Sequence, residues 1–316
     1  MKKHFLGVEI GGTKLQLVTG DGELNIIEKL RYNIDKEKGS PGIQAQLKEG
    51  IEKLLQDFDI KAAGIGFGGP INFKTGRILT SHQISGWNDF NLITFVSGIT
   101  GTPVFADNDA NVACLGEAVK GAGKTLNKVF YITLGSGVGG GMVINKQIYH
   151  GAAGGEVEIG HVRLDKAGTT VESRCSGWAV DKTIRSLISQ HPESSLTESA
   201  GNQTSGEAKF LKEALESKDA LAEEILNDFS DNLAFGLSHV IHLFHPEILI
   251  IGGGLSLIGE SLIKAIEENI SKYMMKAFLP APEITLANLG EDVVPIGALA
   301  LAKLNLNLIK AKPIIL

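Results

Sequence analysis

The sequence is poor in cysteine, in basic charge and in long apolar runs. Two cysteines among 316 residues, Cys114 and Cys175, cannot form a disulfide framework or a four-thiolate zinc site, and they suit a reducing cytoplasm. The net charge of -6 argues against a nucleic-acid backbone as the main partner. The segment MKKHFLGVEIGG reaches glycines and Glu9 before any long apolar core, so neither a signal peptide nor a membrane span is expected. We therefore predict a cytoplasmic protein that binds neither nucleic acid nor membrane.

Glycine, by contrast, is abundant, with 39 residues against nine prolines. The glycines cluster beside apolar, β-branched runs, at residues 11–12, 64–69, 135–141, 151–155 and 252–254. A glycine after a strand indicates a tight turn or a backbone that approaches a ligand closely. The length and a hydrophobic content of 43% predict an ordered globular chain of about two domains.

Two segments share one plan, residues 5–24 and residues 129–148. Each has an apolar run, a glycine turn and an alternating run, which predicts a β-hairpin followed by a third strand. Helical periodicity covers 222–245, and the apolar strand EILIIGGG follows. The duplicated plan predicts an α/β protein of two domains with mixed sheets and an interdomain cleft. Residues 190–206 are rich in Ser, Thr and Glu and are expected to form a surface loop.

The glycine motifs differ in their resemblance to nucleotide sites. GGTK and GSGVGGG lie at hairpin tips, where backbone N–H groups and the hydroxyls of Thr13 and Ser136 can bind phosphate. Each motif alone is equally explained by a tight turn, but their matching positions favour a phosphate clamp. GAGKT (121–125) has Ala118 where a Walker A loop needs glycine, which favours a surface turn. IGGG has Leu257 where a dinucleotide fingerprint needs its third glycine.

The segment FADNDAN predicts a strand that ends near Ala106 and a helix from about Asp109. Asn108 and Asp109 therefore lie at a strand-to-helix turn, the usual rim of an α/β cleft. A carboxylate there can accept the proton of an attacking hydroxyl. The alternative is that Asp107 or Asp109 only caps the helix.

A second polar segment, residues 157–177, contains Glu158, His161, Glu172 and Cys175. Two carboxylates, an imidazole and a thiol are typical of a metal site. They are equally suited to hydrogen bonding with a polyhydroxylated ligand, because each carboxylate can accept two hydroxyl protons.

Five motifs together resemble one family: GVEIGGTK, NDAN with a following LGEA, LGSGVGGG, EIGH and PEILIIGGGLS, in this order from residue 6 to about 303. This is similar to the ROK family (repressors, open reading frames and kinases) of the actin-like ATPase and sugar kinase superfamily. The resemblance implies a ribonuclease H-like fold with domains at 1–107 plus 297–316 and at 108–296. It also implies ATP- and Mg²⁺-dependent phosphorylation of a hexose or hexose derivative, with glucose as the default.

The resemblance implies a role for each matching residue. Asp109 would be the general base on the sugar hydroxyl. The residues that would contact the sugar are Gly68, Gly69, Asn108, Glu158, His161 and Glu172. The residues that would bind ATP with its Mg²⁺ are Glu9, Gly11, Gly12, Thr13, Lys14, Ser136, Gly137, Gly253 and Gly254.

Two departures from the family pattern bear on function. Glu9 stands where the family carries aspartate, so a sugar-binding protein with weak or no kinase activity is one alternative. The cysteine-rich zinc loop after the EIGH histidine is missing, so we predict no structural zinc and no metal-ligating residue. A sugar-sensing regulator is the other alternative, but such relatives carry a DNA-binding domain before the first phosphate loop, which here begins at residue 11. We also expect a homo-oligomer, in the first place a dimer.

Overall fold

The computed structural model describes residues 3–79, 84–152 and 155–311. The chain divides into two compact units. The first unit is drawn from 1–125, 141–156 and 288–316, and the second comprises 126–140 and 157–287. The boundaries expected from the sequence would instead group 108–125, 141–156 and 288–296 with the second unit.

Both units contain strands and helices. The strands are β1 His4–Ile10, β2 Lys14–Gly20, β3 Ile26–Asn33, β4 Ile60–Phe67, β5 Val104–Asn108, β6 Lys128–Leu134, β7 Val138–Ile144, β8 Gln147–Ile148, β9 Ile248–Gly252 and β10 Glu283–Leu286. The helices are α1 Gly39–Asp57, α2 Leu92–Thr100, α3 Asp109–Val119, α4 Val171–Cys175, α5 Gly177–Leu187, α6 Ser195–Ala200, α7 Leu211–Glu216, α8 Ala220–Phe244, α9 Glu260–Ile270 and α10 Val293–Ala311.

The first sheet has the strand order β3-β2-β1-β4-β5. Strands β1, β2 and β3 pair antiparallel, whereas β4 lies parallel to both β1 and β5. The predicted hairpin at 5–24 is therefore confirmed, and the sheet is mixed. Its core includes Val8, Leu17 and Ile65, which have no exposed surface. Because β1, β4 and β5 run the same way, their carboxyl ends lie along one edge.

The second sheet has the order β10-β9-β6-β7-β8. Strand β9 is parallel to both β6 and β10, and β7 pairs antiparallel with β8. Every residue of β9 is buried, as its apolar sequence predicts. The helix expected over 222–245 is α8, which ends where His245 adopts a left-handed φ of 44° before Pro246.

Helix α10 packs closely on the first sheet. An added Cβ at Gly64 would lie 1.9 Å from the carbonyl oxygen of Ala298, and one at Gly297 would lie 1.9 Å from that of Val112. Residues 290–311 are also long and apolar enough by composition to cross a membrane, which the sequence had not led us to expect. Because 61% of the apolar 18-residue window in this stretch is buried and Gly64 admits the helix onto the sheet, we interpret it as a core helix.

The expectation of a loop over residues 190–206 is wrong in one respect, because α6 lies within it. Ser194 caps this helix by accepting a hydrogen bond from the Leu196 amide. Asp219 accepts hydrogen bonds from the hydroxyls of Ser194 and Ser195. Ser194, one of the serines that indicated a loop, is therefore a helix-capping residue.

Candidate active site

In the first unit, the carboxyl ends of β1, β4 and β5 bring three predicted site residues together. The Gly68 amide donates a hydrogen bond to the Ile10 carbonyl at 2.8 Å. An added Cβ on Gly68 would lie 3.3 Å from Asp109 Oδ2 and 3.5 Å from the Gly11 Cα. The glycine turn after β1, the glycines after β4 and the acid after β5 are thus direct neighbours. Because Gly68 has no side chain, there is space beside the Asp109 carboxylate, and any larger residue at position 68 would fill that space.

Asn108 and Asp109 both bond to the first turn of α3. The Asn108 side chain is the N-cap and accepts a hydrogen bond from the Ala110 amide at 2.9 Å. Its Nδ2 donates to the Gly69 carbonyl at 3.3 Å, which ties the β5 end to the β4 end. Asp109 Oδ1 also accepts from the Ala110 amide at 2.9 Å, and the residue is half-buried. Because Asn108 supplies the N-cap of α3, helix capping alone does not explain why an aspartate stands at position 109.

The acid in the first motif, Glu9, is 7% exposed and has two polar partners. Gln16 Nε2 donates to Glu9 Oε2 at 2.6 Å, and Lys14 Nζ lies 3.3 Å from Glu9 Oε1. Residues 11–13 form the turn between β1 and β2, with Thr13 exposed at its tip. The longer side chain of glutamate therefore has fixed partners across the hairpin, and the predicted Lys14 is one of them.

In the second unit, Glu172 supports the other glycine hairpin. Glu172 Oε2 accepts a hydrogen bond from the Val138 amide at 2.9 Å. An added Cβ on Gly137 would lie 2.6 Å from the same oxygen. Ser136 is exposed at the tip of this hairpin. One oxygen of Glu172 thus positions the predicted phosphate turn, a function that its spacing in the sequence did not indicate.

The EIGH motif packs against the same point of β7. Residues 159–161 form a single 3₁₀ turn, and an added Cβ on Gly160 would lie 2.3 Å from the Val138 carbonyl oxygen. This close approach requires glycine. Glu158 and His161 at the two ends of the turn are exposed. Val138 thus contacts both predicted sugar-binding segments through its backbone. Its N–H group donates to Glu172, and its carbonyl oxygen packs against the EIGH turn.

A cavity of about 520 Å³ opens beside the hairpin of the second unit. The Gly177 amide donates to the Gly135 carbonyl at 2.7 Å, so the N-terminus of α5 abuts the hairpin. The amide-rich start of a helix attracts anions such as phosphate. The cavity is lined by Ser136 and Gly254 of the predicted set, and also by Trp178, Lys209 and Lys212.

These last three residues were missed by sequence reasoning, for a physical reason. Lys209 and Lys212 lie in a Ser- and Glu-rich stretch that shows no motif. Buried Asp181 positions that stretch by accepting hydrogen bonds from the Gly206 and Ala208 amides at 2.9 and 2.8 Å. The one signal that the sequence offers is a tryptophan directly after Ser-Gly, and the structure shows that this residue, Trp178, is 64% exposed.

The two glycines after β9 have different positions. An added Cβ on Gly253 would lie 2.6 Å from the Leu134 backbone, and its φ is 82°. Gly253 thus lets the β9 end approach the β6 end. Gly254 has nothing within 4 Å of an added Cβ and faces the cavity. Gly254 is therefore the better placed of the pair to contact a ligand.

Cys175 does not share a ligand set with His161. Its side chain is fully buried, and Sγ donates to the Phe229 carbonyl at 3.8 Å. Burial raises the pKa of the Cys175 thiol to about 12. His161, by contrast, is exposed. A buried, protonated thiol is a poor metal ligand.

The GAGKT segment forms a turn that is already filled by an internal anion. Glu117 is fully buried and its Oε2 accepts a hydrogen bond from the Ala122 amide at 2.7 Å. Its Oε1 accepts from the Leu289 amide at 2.9 Å. Burial raises the pKa of Glu117, and the backbone hydrogen bonds oppose that rise. The predicted turn is confirmed, and a carboxylate occupies the place where a phosphate loop would bind its ligand.

Each unit thus has a mixed sheet, a glycine hairpin and polar residues at strand ends, which together define a phosphotransferase of the actin-like ATPase fold. The ROK family profile matches residues 5–305. The chain belongs to the ROK family, as the five motifs predict. The predicted fold class is likewise confirmed by ROK kinase structures.

Several similar proteins are sugar kinases. The glucokinase of Halalkalibacterium halodurans is 32% identical over 93% of this chain and 93% of its own length. The glucokinase of Thermotoga maritima is 31% identical over 96% and 98%. A crystal structure of a Streptomyces griseus ROK glucokinase in complex with glucose and AMPPNP is 28% identical, covers 95% of this chain and 99% of its own, and has a TM-score of 0.82.

Proposed function

We propose that this protein transfers the γ-phosphoryl group of ATP to a hydroxyl of a hexose, with glucose as its substrate. The class, an ATP-dependent sugar kinase, is supported by the two glucokinase relatives at 31–32% identity. The observation that carries the proposal is Asp109 beside Gly68 and the Gly11 turn, at the ends of three parallel strands. The choice of glucose follows from the relatives and is a proposal for this chain.

Asp109 is the group that accepts the proton of the attacking hydroxyl. The Ala110 amide holds its Oδ1, while the absence of a side chain at Gly68 leaves space next to Oδ2. A carboxylate held in this way can orient a hydroxyl and receive its proton as the oxygen attacks phosphorus. Asn108, fixed by the Gly69 carbonyl, would hold a neighbouring hydroxyl. Glu158, His161 and Glu172 would contact the remaining hydroxyls.

The two glycine hairpins and the cavity suit a nucleotide. Ser136 and Gly137 with the start of α5 would hold phosphate oxygens, and Lys209 and Lys212 add positive charge to the cavity. Gly254 and the exposed face of Trp178 offer contacts to the adenosine. The buried carboxylate of Glu9 is a hard oxygen donor that fits Mg²⁺. When bound, Mg²⁺-ATP supplies the phosphoryl group and neutralises its charge.

A coupled assay for ADP release over a panel of hexoses tests the proposal. We expect turnover with glucose, and we expect Asp109→Asn to lower kcat by about 10²–10⁴-fold, because general-base catalysis contributes that much. Binding of glucose should persist in this variant, since the amide keeps the shape of the side chain. Asp57→Asn, at an exposed end of α1, is the matched control and should match the wild type.

Two outcomes would reject this function. One is that no hexose stimulates ADP release by the wild type at any Mg²⁺ concentration. The other is that Asp109→Asn turns over as fast as Asp57→Asn, in which case the carboxylate is not the base.

A further inference from the structure

A second polar cluster lies in the first unit, formed by Asp107, Asn111, His150 and Glu156. Asp107 Oδ2 is 2.7 Å from His150 Nε2. Asn111 Nδ2 donates to Asp107 Oδ1 at 3.0 Å and to Glu156 Oε1 at 3.1 Å. One ligand atom each from Asp107, His150 and Glu156 lie within 4.8 Å of one another. None of these four residues takes part in the proposed phosphoryl transfer.

The carboxamide of Asn111 shows that the cluster lacks a component. Asn111 and Asp107 are each only 4% exposed. The amide points its nitrogen at both carboxylates, while its Oδ1 is buried and has no hydrogen-bond partner among the residues that the structure describes. A buried unpaired amide oxygen is unfavourable. A half-turn of the carboxamide would bring Oδ1 towards the two carboxylates, an arrangement of three oxygens that a bound cation would stabilise.

We propose that these four residues bind a divalent transition-metal cation. The donor set is one imidazole nitrogen, two carboxylate oxygens and the amide oxygen of Asn111. Nitrogen and oxygen ligands of this kind suit Zn²⁺, which takes four ligands at about 2.0–2.2 Å. Asp107 Oδ2 and His150 Nε2 now share a hydrogen bond at 2.7 Å. They would have to separate to roughly 3.3 Å to become two ligands of a tetrahedral ion. On binding, the ion would replace the hydrogen bonds that now join the cluster.

The surroundings hold the ligands in place and leave a path to them. The His150 ring stacks on Phe73 with 3.6 Å between centroids and an interplanar angle of 8°, which fixes its orientation. The Gly151 amide donates to Glu156 Oε2 at 3.2 Å. The other oxygen, Oε1, faces the cluster and accepts from Asn111. A cavity of about 220 Å³ is lined by Asp107, His150 and Phe73. An ion can therefore reach the cluster from solvent, since the His150 side chain is 23% exposed.

The site would link two segments that are distant in sequence. Asp107 directly precedes Asn108 and Asp109 at the end of β5, whereas His150 and Glu156 follow β8. A bound ion would hold the second segment against the strand end that carries Asp109. It would act as a structural brace, and its presence does not depend on the reaction that the protein catalyses.

The test is zinc retention by the full chain. Chelator-treated protein is equilibrated with Zn²⁺ alone, dialysed and analysed for metal by mass spectrometry, with Tm measured in parallel. We expect about one zinc per wild-type chain and a higher Tm with zinc than without. Glu156→Gln and His150→Gln should each retain at least tenfold less and lose the rise in Tm. His191→Gln is the control, because His191 pairs with a carboxylate at the surface, 3.2 Å from Glu193.

The outcome that overturns the site is equal zinc content in the wild type, Glu156→Gln and His150→Gln, whether that content is zero or one. Asn111→Asp provides a second measurement, because an added carboxylate should increase zinc retention if residue 111 faces the ion. Zinc retention by Asn111→Asp below that of the wild type would contradict the proposed ligand set.

Discussion

At the scale of single residues, the two thiols illustrate how burial controls reactivity. Cys114 and Cys175 have no exposed surface, and burial raises the pKa of Cys175 to about 12. At pH 8 only on the order of one in 10⁴ such thiols is ionised, and the thiolate is the reactive form. We therefore predict that Ellman's reagent titrates no thiol in the native protein and both thiols in guanidinium.

The sign of the pH dependence follows from the raised pKa. Raising the pH towards 12 increases the thiolate fraction of Cys175, so any slow native labelling should accelerate with pH. Ser186→Cys places a thiol at an exposed position of α5 and should react at once. Rapid labelling of one thiol in the native wild type at pH 8 would contradict the buried environment of both cysteines.

Glu9 stands where the resemblance to the family implies aspartate, and its contacts indicate that glutamate is accommodated. Aspartate would withdraw the carboxylate by about 1.5 Å, one carbon–carbon bond. It would then lose the 2.6 Å bond from Gln16 and move away from Lys14. Because small misplacements of polar groups are costly in catalysis, we expect Glu9→Asp to lower kcat/KM on the order of tenfold.

Steady-state kinetics of Glu9→Asp against the wild type, at saturating Mg²⁺-ATP, checks this prediction. Gln16→Leu is the companion variant, because it removes the partner and leaves the acid unchanged, and it should impair turnover in the same direction. A tenfold faster Glu9→Asp would instead identify the wild type as the impaired form and favour a sugar-binding protein with weak kinase activity.

At the scale of elements, helix α10 and β4 meet through glycine. An added Cβ at Gly64 would lie 1.9 Å from the Ala298 carbonyl oxygen, so the helix must move or the strand must bend. We predict that Gly64→Ala lowers the free energy of unfolding by about 3 kcal/mol, the upper range of overpacking. Gly98→Ala is matched, since nothing lies within 4 Å of its added Cβ in α2. It should raise that free energy by about 0.5–1 kcal/mol.

Guanidinium unfolding followed by circular dichroism measures both variants. The same chemical change is thus compared at a crowded strand position and at an uncrowded helix position, and steric crowding predicts a loss of stability only at the first. Equal midpoints for Gly64→Ala and the wild type would show that the contact between α10 and the sheet is looser than described.

At the scale of the whole molecule, the exposed apolar residues point to a surface for association. Leu243 and Met275 are 76% and 51% exposed in the second unit. They are close in space, because the Met275 amide donates to Nε2 of His242 at 3.1 Å. Exposed apolar side chains that cluster mark interaction sites. The expected homodimer remains a prediction, and this surface is our candidate for its interface.

Light scattering after size-exclusion chromatography gives the mass that decides the prediction. We expect twice the 33.6 kDa of one chain for the wild type and one chain mass for Leu243→Glu. Leu308→Glu, 48% exposed on α10, should leave the mass unchanged. A wild type that elutes with the mass of one chain would disprove the dimer, and a Leu243→Glu variant that remains dimeric would place the interface elsewhere.

Local features of this protein could be predicted because they depend on neighbouring residues. Alternating apolar residues around GGTK and GSGVGGG specify hairpins, and the FADNDAN pattern specifies a strand that turns into a helix. These segments also identify the family, since the motifs occur in a fixed order along the chain. The sequence by itself therefore determined these elements, the fold class and Asp109 as the candidate base.

Only the tertiary structure decided which distant residues meet. Asp107 and His150 are 43 positions apart, and Glu172 and Val138 are 34 apart. No periodicity in the sequence encodes such pairs, because they depend on how strands are ordered in the sheets and where connecting loops return. The metal-like pattern at 157–177 thus proved to hold a buried thiol and a hairpin support, while the cluster with metal-ligand geometry formed around Asp107.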